Sequence, residues 1–143
     1  MRRFKGLDCI LLIDDEEINN YLNRIIIKKA KIDAHVQIAL NGLEAIDYLR
    51  CIGKYANIKE YPKPGLILLD INMPRMNGWE FLQEYEKLSE EQKGKIVIAI
   101  LTSSNNPDDI RRADEVDSLV GYFNKPLNKQ RLEDILENNF VEE

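Results

Sequence analysis

The chain has 143 residues, 44% of them apolar, which suits one compact domain with a sizeable core and little room for a second. Its 20 Lys and Arg against 25 Asp and Glu leave a net charge of −5, and with no basic tract there is no electrostatic reason to expect binding to DNA or a membrane surface. No apolar run reaches the roughly 18 residues of a membrane span. The apolar stretch after the basic start Met1-Arg2-Arg3 is too short for a signal peptide and runs straight into Asp14-Asp15-Glu16-Glu17. Cys9 and Cys51 read as buried thiols of a reducing compartment, so a soluble cytoplasmic protein is expected.

In chain order, the first apolar run, Cys9–Ile13, is continuous, as a strand buried on both faces should be. A helical stripe of Ile18, Leu22, Ile25 and Ile26 follows, with Lys28-Lys29 on a solvated face. His35, the only histidine, precedes the second run and reads as a surface residue. That run, Val36–Leu40, alternates around Gln37 and belongs nearer an edge. Leu43, Ile46 and Leu49 mark a second helix. Cys51–Gly65, with Tyr55, Tyr61, Pro62 and Pro64, is the least regular part and reads as a long connection. The third run is Leu66–Leu69, followed by a helix with Trp79, Leu82 and Tyr85 inward and Trp79 as packing. After the fourth run, Ile96–Leu101, Asn106 is a plausible N-cap and Pro107 suits the first turn of a helix over Pro107–Val116. Arg111-Arg112 fall on its solvated side. The fifth run, Leu119–Phe123, leads to a helix capped by Asn128, with Leu132, Ile135 and Leu136 inward. Five strands each followed by a helix predict an α/β fold, a (βα)5 parallel sheet wound on both faces.

In an open parallel sheet, ligands sit at the carboxyl ends of the strands. The first run ends in Asp14 and Asp15, the third in Asp70, the fourth in Thr102-Ser103-Ser104 and the fifth in Lys125-Pro126. Clustered carboxylates repel unless a cation joins them, and hard oxygen ligands suit Mg²⁺. A carboxylate also serves as a nucleophile toward phosphorus, giving an acyl phosphate. The charge on phosphoryl oxygens would be met by the metal, Lys125 and the Thr102 hydroxyl. Any one of these residues alone reads more readily as a cap or a surface charge; the joint pattern does not.

The stretches ILLIDDEE, LILLDINMPRMNGWEFL, AILTSS and GYFNKP resemble the receiver domains of two-component response regulators, over nearly the whole chain. The resemblance implies a flavodoxin-like, CheY-like sheet of order 2-1-3-4-5 and a single stand-alone receiver over 1–143, with its core over about 8–140. It implies that Asp70 is the phosphoacceptor, that Asp14 and Asp15 form the acidic pair of a Mg²⁺ (or Mn²⁺) site with Asp15 the direct ligand, and that Asn72 adds its backbone carbonyl. Thr102 matches the switch hydroxyl, Lys125 the phosphate-contacting lysine and Tyr122 the aromatic switch position. Lys125-Pro126 is a cis candidate. Ser103 would replace Thr102 if the fourth strand ended one residue later. Two features depart from the pattern or bear on it: the Cys51–Gly65 connection is longer than in the smallest members, and Ser104, with Asn72, falls at positions that set the lifetime of the phosphorylated state.

Implied partners are a sensor histidine kinase or a histidine phosphotransfer protein and a downstream protein target, with no DNA and no membrane. A homodimer through the surface of the fourth helix, fifth strand and fifth helix is also admitted. The protein is then a switch and not a metabolic enzyme. A phosphatase of the haloacid-dehalogenase type wants a second Asp two residues after its nucleophile, where this chain has Asn72. A nucleotide-binding domain wants a glycine-rich loop where this chain has four acids in a row.

Overall fold

A computed structural model of the chain describes residues 1–57 and 61–143. Five parallel strands, β1 (Cys9–Ile13), β2 (His35–Ala39), β3 (Leu66–Leu69), β4 (Val97–Thr102) and β5 (Leu119–Asn124), form one sheet of order β2-β1-β3-β4-β5. The connecting helices are α1 (Glu17–Lys29), α2 (Gly42–Arg50), α3 (Gly78–Glu86), α4 (Pro107–Asp114) and α5 (Lys129–Asn139). A sixth helix of one turn, Glu90–Lys93, held by a Ser89–Gln92 capping box, precedes β4 and was not foreseen.

Side chains alternate across a strand, so the continuous runs of β1 and β3 feed two cores. Cys9, Leu11 and Ile13 pack with α2 and α3, whereas Ile10 and Leu12 pack with Ile27 of α1 and Leu132, Ile135 and Leu136 of α5. β2 lies at one edge, as its alternation implies, and His35 begins it, exposed and hydrogen-bonded to Gln37. β5 corrects an expectation. Its apolar run suggested burial on both faces, but it forms the other edge, with Val120 exposed and Leu119, Tyr122 and Phe123 half-buried. Side chains at its flanks supply partial cover, as where the Arg131 guanidinium lies 4.4 Å from the Phe123 ring centroid.

α1 corrects another. Its predicted stripe is largely solvated, with Ile18 and Leu22 exposed; the buried residues are Asn20, Asn23 and Ile27. The helix is turned by Asn20, whose Nδ2 donates to the Asp14 carbonyl at 2.9 Å. In α2, Leu43 is exposed while Ile46 and Leu49 are buried as expected. The α3, α4 and α5 readings hold: Trp79, Leu82 and Tyr85 are buried, and the Asn106 and Asn128 side chains accept from the N–H groups of Asp108 and Arg131.

Cys9 is buried, but Cys51 is exposed, contrary to expectation, and both are free thiols. Cys51 caps α2 in the left-handed region at φ 57°, which starts the connection to β3. Tyr48, Tyr55 and Tyr61 pack edge to face there with centroids 5.0–6.0 Å apart, and the Tyr48 hydroxyl donates to the Pro62 carbonyl at 2.6 Å. Residues 58–60 of this connection lie outside the described residues. At the ends, Phe4 and Leu7 are buried and Phe4 bridges Glu142. Arg2 reaches Glu133, Glu137 and Glu142 at 2.8–3.0 Å. No helix among the described residues is long and apolar enough to cross a membrane.

Gly78 sets the seat of α3 on the sheet. Its N–H donates to the Ile71 carbonyl at 2.8 Å, and a Cβ there would stand 2.6 Å from the Asp70 carbonyl oxygen. Gly78→Ala must therefore lift α3 from β3. The expected loss of stability is about 1–3 kcal/mol, the range for an overpacked contact, read as a lower urea midpoint. An unchanged midpoint would show that the helix slides without penalty.

Candidate functional site

The parallel register brings the ends of β1, β3, β4 and β5 to one edge of the sheet. Asp14 follows β1 and its N–H donates to the Ala39 carbonyl at 3.1 Å; Asp70 follows β3 and its N–H donates to the Ile13 carbonyl at 2.9 Å. Both carboxylates are therefore fixed by backbone bonds to neighbouring strands, and both are buried, at 4% and 6% exposure. Asp15, one residue on, is exposed. Ligand oxygens of Asp14, Asp15 and Asp70 lie within 4.8 Å of one another.

One ammonium enters this cluster. Lys125 Nζ lies 2.7 Å from Asp14 Oδ2 and 3.5 Å from Asp70 Oδ1. Its backbone N–H donates to the Thr102 carbonyl at 2.9 Å, so β4 positions it, and the following Lys125–Pro126 bond is cis as anticipated. Burial opposes its charge, but the Asp14 hydrogen bond and the charges of Asp70 and Asp14 outweigh burial and raise its pKa. Asp70 is pushed the other way from an ordinary carboxylate. Burial lifts its pKa from 3.8 to about 6; Lys125 pulls it down by less, and Asp14 adds to the rise.

Three carboxylates against one ammonium leave an uncompensated negative charge. The oxygen spacing and the shortage of cations fit a hard divalent ion held by Asp14, Asp15 and Asp70. Asn72 is exposed two residues beyond Asp70, and its backbone hydrogen-bonds the Asp70 carboxylate.

Thr102 is fully buried at the end of β4, so the strand ends where the preferred reading placed it, and Ser103 is exposed. The Thr102 hydroxyl accepts from the Ser104 N–H at 3.1 Å. Tyr122 sits one strand over, aligned with Ile100, and its hydroxyl donates to the Ser104 carbonyl at 3.3 Å. The sequence reading missed Asn20, which fixes the Asp14 main chain from below. It also missed Asp109, which accepts from both Trp79 and Ser104. Asn20 lies on the face of α1 opposite the apolar stripe, so the stripe itself hid it; nothing local marked Asp109.

These features define a doubly wound α/β domain whose ligand edge carries carboxylates and an ammonium in place of a glycine-rich loop. The family model of the response regulator receiver domain matches residues 10–137, and the chain belongs to that family. Response regulator Rcp1 of Synechocystis sp. is 36% identical over 101 residues, 71% of this chain and 65% of that protein, so the match spans just under two thirds of its length. Sporulation initiation phosphotransferase F of Bacillus subtilis is 30% identical over 126 residues, 87% of each chain. Among solved structures, a two-component response regulator from Cytophaga hutchinsonii matches with a TM-score of 0.78 and 33% identity, over 92% of this chain and 96% of that one. The Mn²⁺-bound form of Rcp1 matches with a TM-score of 0.72 and 31% identity, over 90% and 88%.

Proposed function

We propose that the chain is a phosphorylation switch of a two-component phosphorelay, with Asp70 as phosphoacceptor. The observation that carries this is the convergence of Asp14, Asp15 and Asp70 on one oxygen cluster with Lys125 between two of them. A carboxylate oxygen of Asp70 attacks phosphorus in a phosphohistidine of a sensor kinase or phosphotransfer protein. The P–N bond breaks, and its electron pair stays with the imidazole, which takes up a proton. Lys125 meets the charge gathered on the phosphoryl oxygens, as does the Thr102 hydroxyl once it turns toward them. Asp14, Asp15, Asp70 and the Asn72 carbonyl would hold a Mg²⁺ or Mn²⁺ ion, which supplies further charge neutralisation. The Mn²⁺ bound by Rcp1 supports that assignment.

Residues 1–143 serve as one receiver domain, and two free thiols fit a reducing cytoplasm. The signal leaves through Thr102 and Tyr122 to the surface of α4, β5 and α5. Exposed Ile110 and Val120 there offer apolar contact to a target protein or a second copy.

The test is incubation with acetyl phosphate and Mg²⁺ followed by intact-mass measurement. Wild type should gain one hydroxylamine-labile phosphoryl group and Asp70→Asn none; equal incorporation in both would sink the assignment. Asp15→Asn should bind Mg²⁺ at least about tenfold more weakly, because one of few charged ligands is lost. Unchanged affinity by titration calorimetry would remove Asp15 from the metal shell.

A further inference from the structure

One carboxylate outside the site reaches both switch side chains through a single residue, Ser104. Trp79, in the first turn of α3, donates its indole N–H to Asp109 Oδ1 at 3.1 Å. The other oxygen of Asp109 accepts from Ser104 Oγ at 2.7 Å. Ser104 gives its N–H to the Thr102 hydroxyl and its carbonyl to the Tyr122 hydroxyl. The Arg112 guanidinium, exposed as its pairing with Arg111 suggested, lies 4.9 Å from the Trp79 ring centroid and ties α4 to α3 a second time. α3 in turn is seated by the Gly78 N–H on the Ile71 carbonyl, close against the Asp70 backbone. The chain of contacts thus runs from the backbone of Asp70 through α3 and α4 to both Thr102 and Tyr122.

We propose that Asp109 is a positioning residue that latches the resting arrangement of Thr102 and Tyr122. This rests on the reading of Asp70 as phosphoacceptor. The Thr102 hydroxyl is buried and engaged with the Ser104 N–H. To turn toward a phosphoryl oxygen it must leave that N–H or draw Ser104 with it. Leaving abandons one hydrogen bond; drawing Ser104 along stretches its bond to Asp109, which is of the stronger, charge-assisted kind. Either interaction belongs to the resting state, and an interaction made in one state only shifts the equilibrium toward that state. The Trp79 N–H supplies the anchor, because it fixes Asp109 to a helix held by the Ile71 carbonyl, one residue beyond Asp70.

The test uses the full chain with Mg²⁺ and beryllofluoride, the phosphoryl mimic, with affinity read by fluorine NMR. Asp109→Ala also removes an acid from the first turn of α4, where it favours the helix dipole. Ser104→Ala and Trp79→Phe leave that turn intact and decide the matter if the alanine variant does not fold. Each latch variant should bind the mimic about three- to tenfold more tightly than wild type, as expected when a modest hydrogen bond is removed from the resting state alone. A purely structural role would lower the melting temperature with binding unchanged or weaker. Wild type binding the mimic while Ser104→Ala and Trp79→Phe bind no tighter overturns the latch and leaves the phosphoacceptor intact. If wild type fails to bind the mimic at Asp70, both fall.

Discussion

Lys125→Ala should lose about 3–5 kcal/mol of stability at pH 8 in the presence of a chelator, the range for removing one partner of a buried ion pair. The ammonium is 2.7 Å from Asp14 and 3.5 Å from Asp70, both buried, and no other cation lies in this cluster among the described residues. Without it, two carboxylates face each other in a poorly solvated site. Two further measurements identify the cause. Lowering the pH to 5 should shrink the loss, because the orphaned carboxylates then take up protons. Adding Mg²⁺ should recover part of it, since a ligand bound by the folded state alone stabilises that state. A urea midpoint equal to that of wild type at pH 8 would show that water already solvates the cluster.

Asp70 itself should destabilise the metal-free fold, and Asp70→Asn should strengthen it. Burial raises its pKa from 3.8 to about 6. The folded state therefore holds this proton more tightly than the unfolded chain does. The stabilisation that follows is complete below pH 4 and is lost as pH rises through about 6. A difference of two pKa units corresponds to roughly 3 kcal/mol. At pH 7.5 without metal, Asp70→Asn should thus be about 2–3 kcal/mol more stable than wild type. At pH 4 the two should coincide. Saturating Mg²⁺ should reverse the order at pH 7.5, because on the function proposed above it binds more tightly to the chain that keeps the Asp70 carboxylate. Parallel stability profiles for the two proteins between pH 4 and 8 would contradict the raised pKa.

The interior of the sheet and most of the site were legible because single residue types carried them. Short uninterrupted apolar runs between turn signals favour strands covered on both faces, and β1 and β3 are placed residue for residue. Asp14, Asp15, Asp70 and Lys125 follow those runs directly, so strand ends and site coincide. The reading failed where apolarity and burial part company. The run of β5 resembles that of β4, yet β4 has a neighbour on each side and β5 does not. Ile18 and Leu22 are apolar but solvated, because Asn20 claims the inward face of α1 to serve the Asp14 carbonyl. Asp109 could not be found at all, since its partners Trp79 and Ser104 come from separate parts of the chain and meet only in the folded molecule.

The two ends of the chain meet at the amino ends of the strands. The Lys5 N–H donates to the Val141 carbonyl and the Glu143 N–H to the Arg3 carbonyl, both at 2.8 Å, with Arg2 closing over three glutamates. Topologically the domain is a ring with a narrow gap. The carboxylates stand at the opposite rim, so a fluorophore, tether or fused protein grafted at either end departs from the floor of the domain. Its bulk stays clear of the carboxylate cluster. A few residues bridging the gap would close the ring, and new ends opened at a surface loop away from the carboxylates would give a circular permutant with the same sheet order.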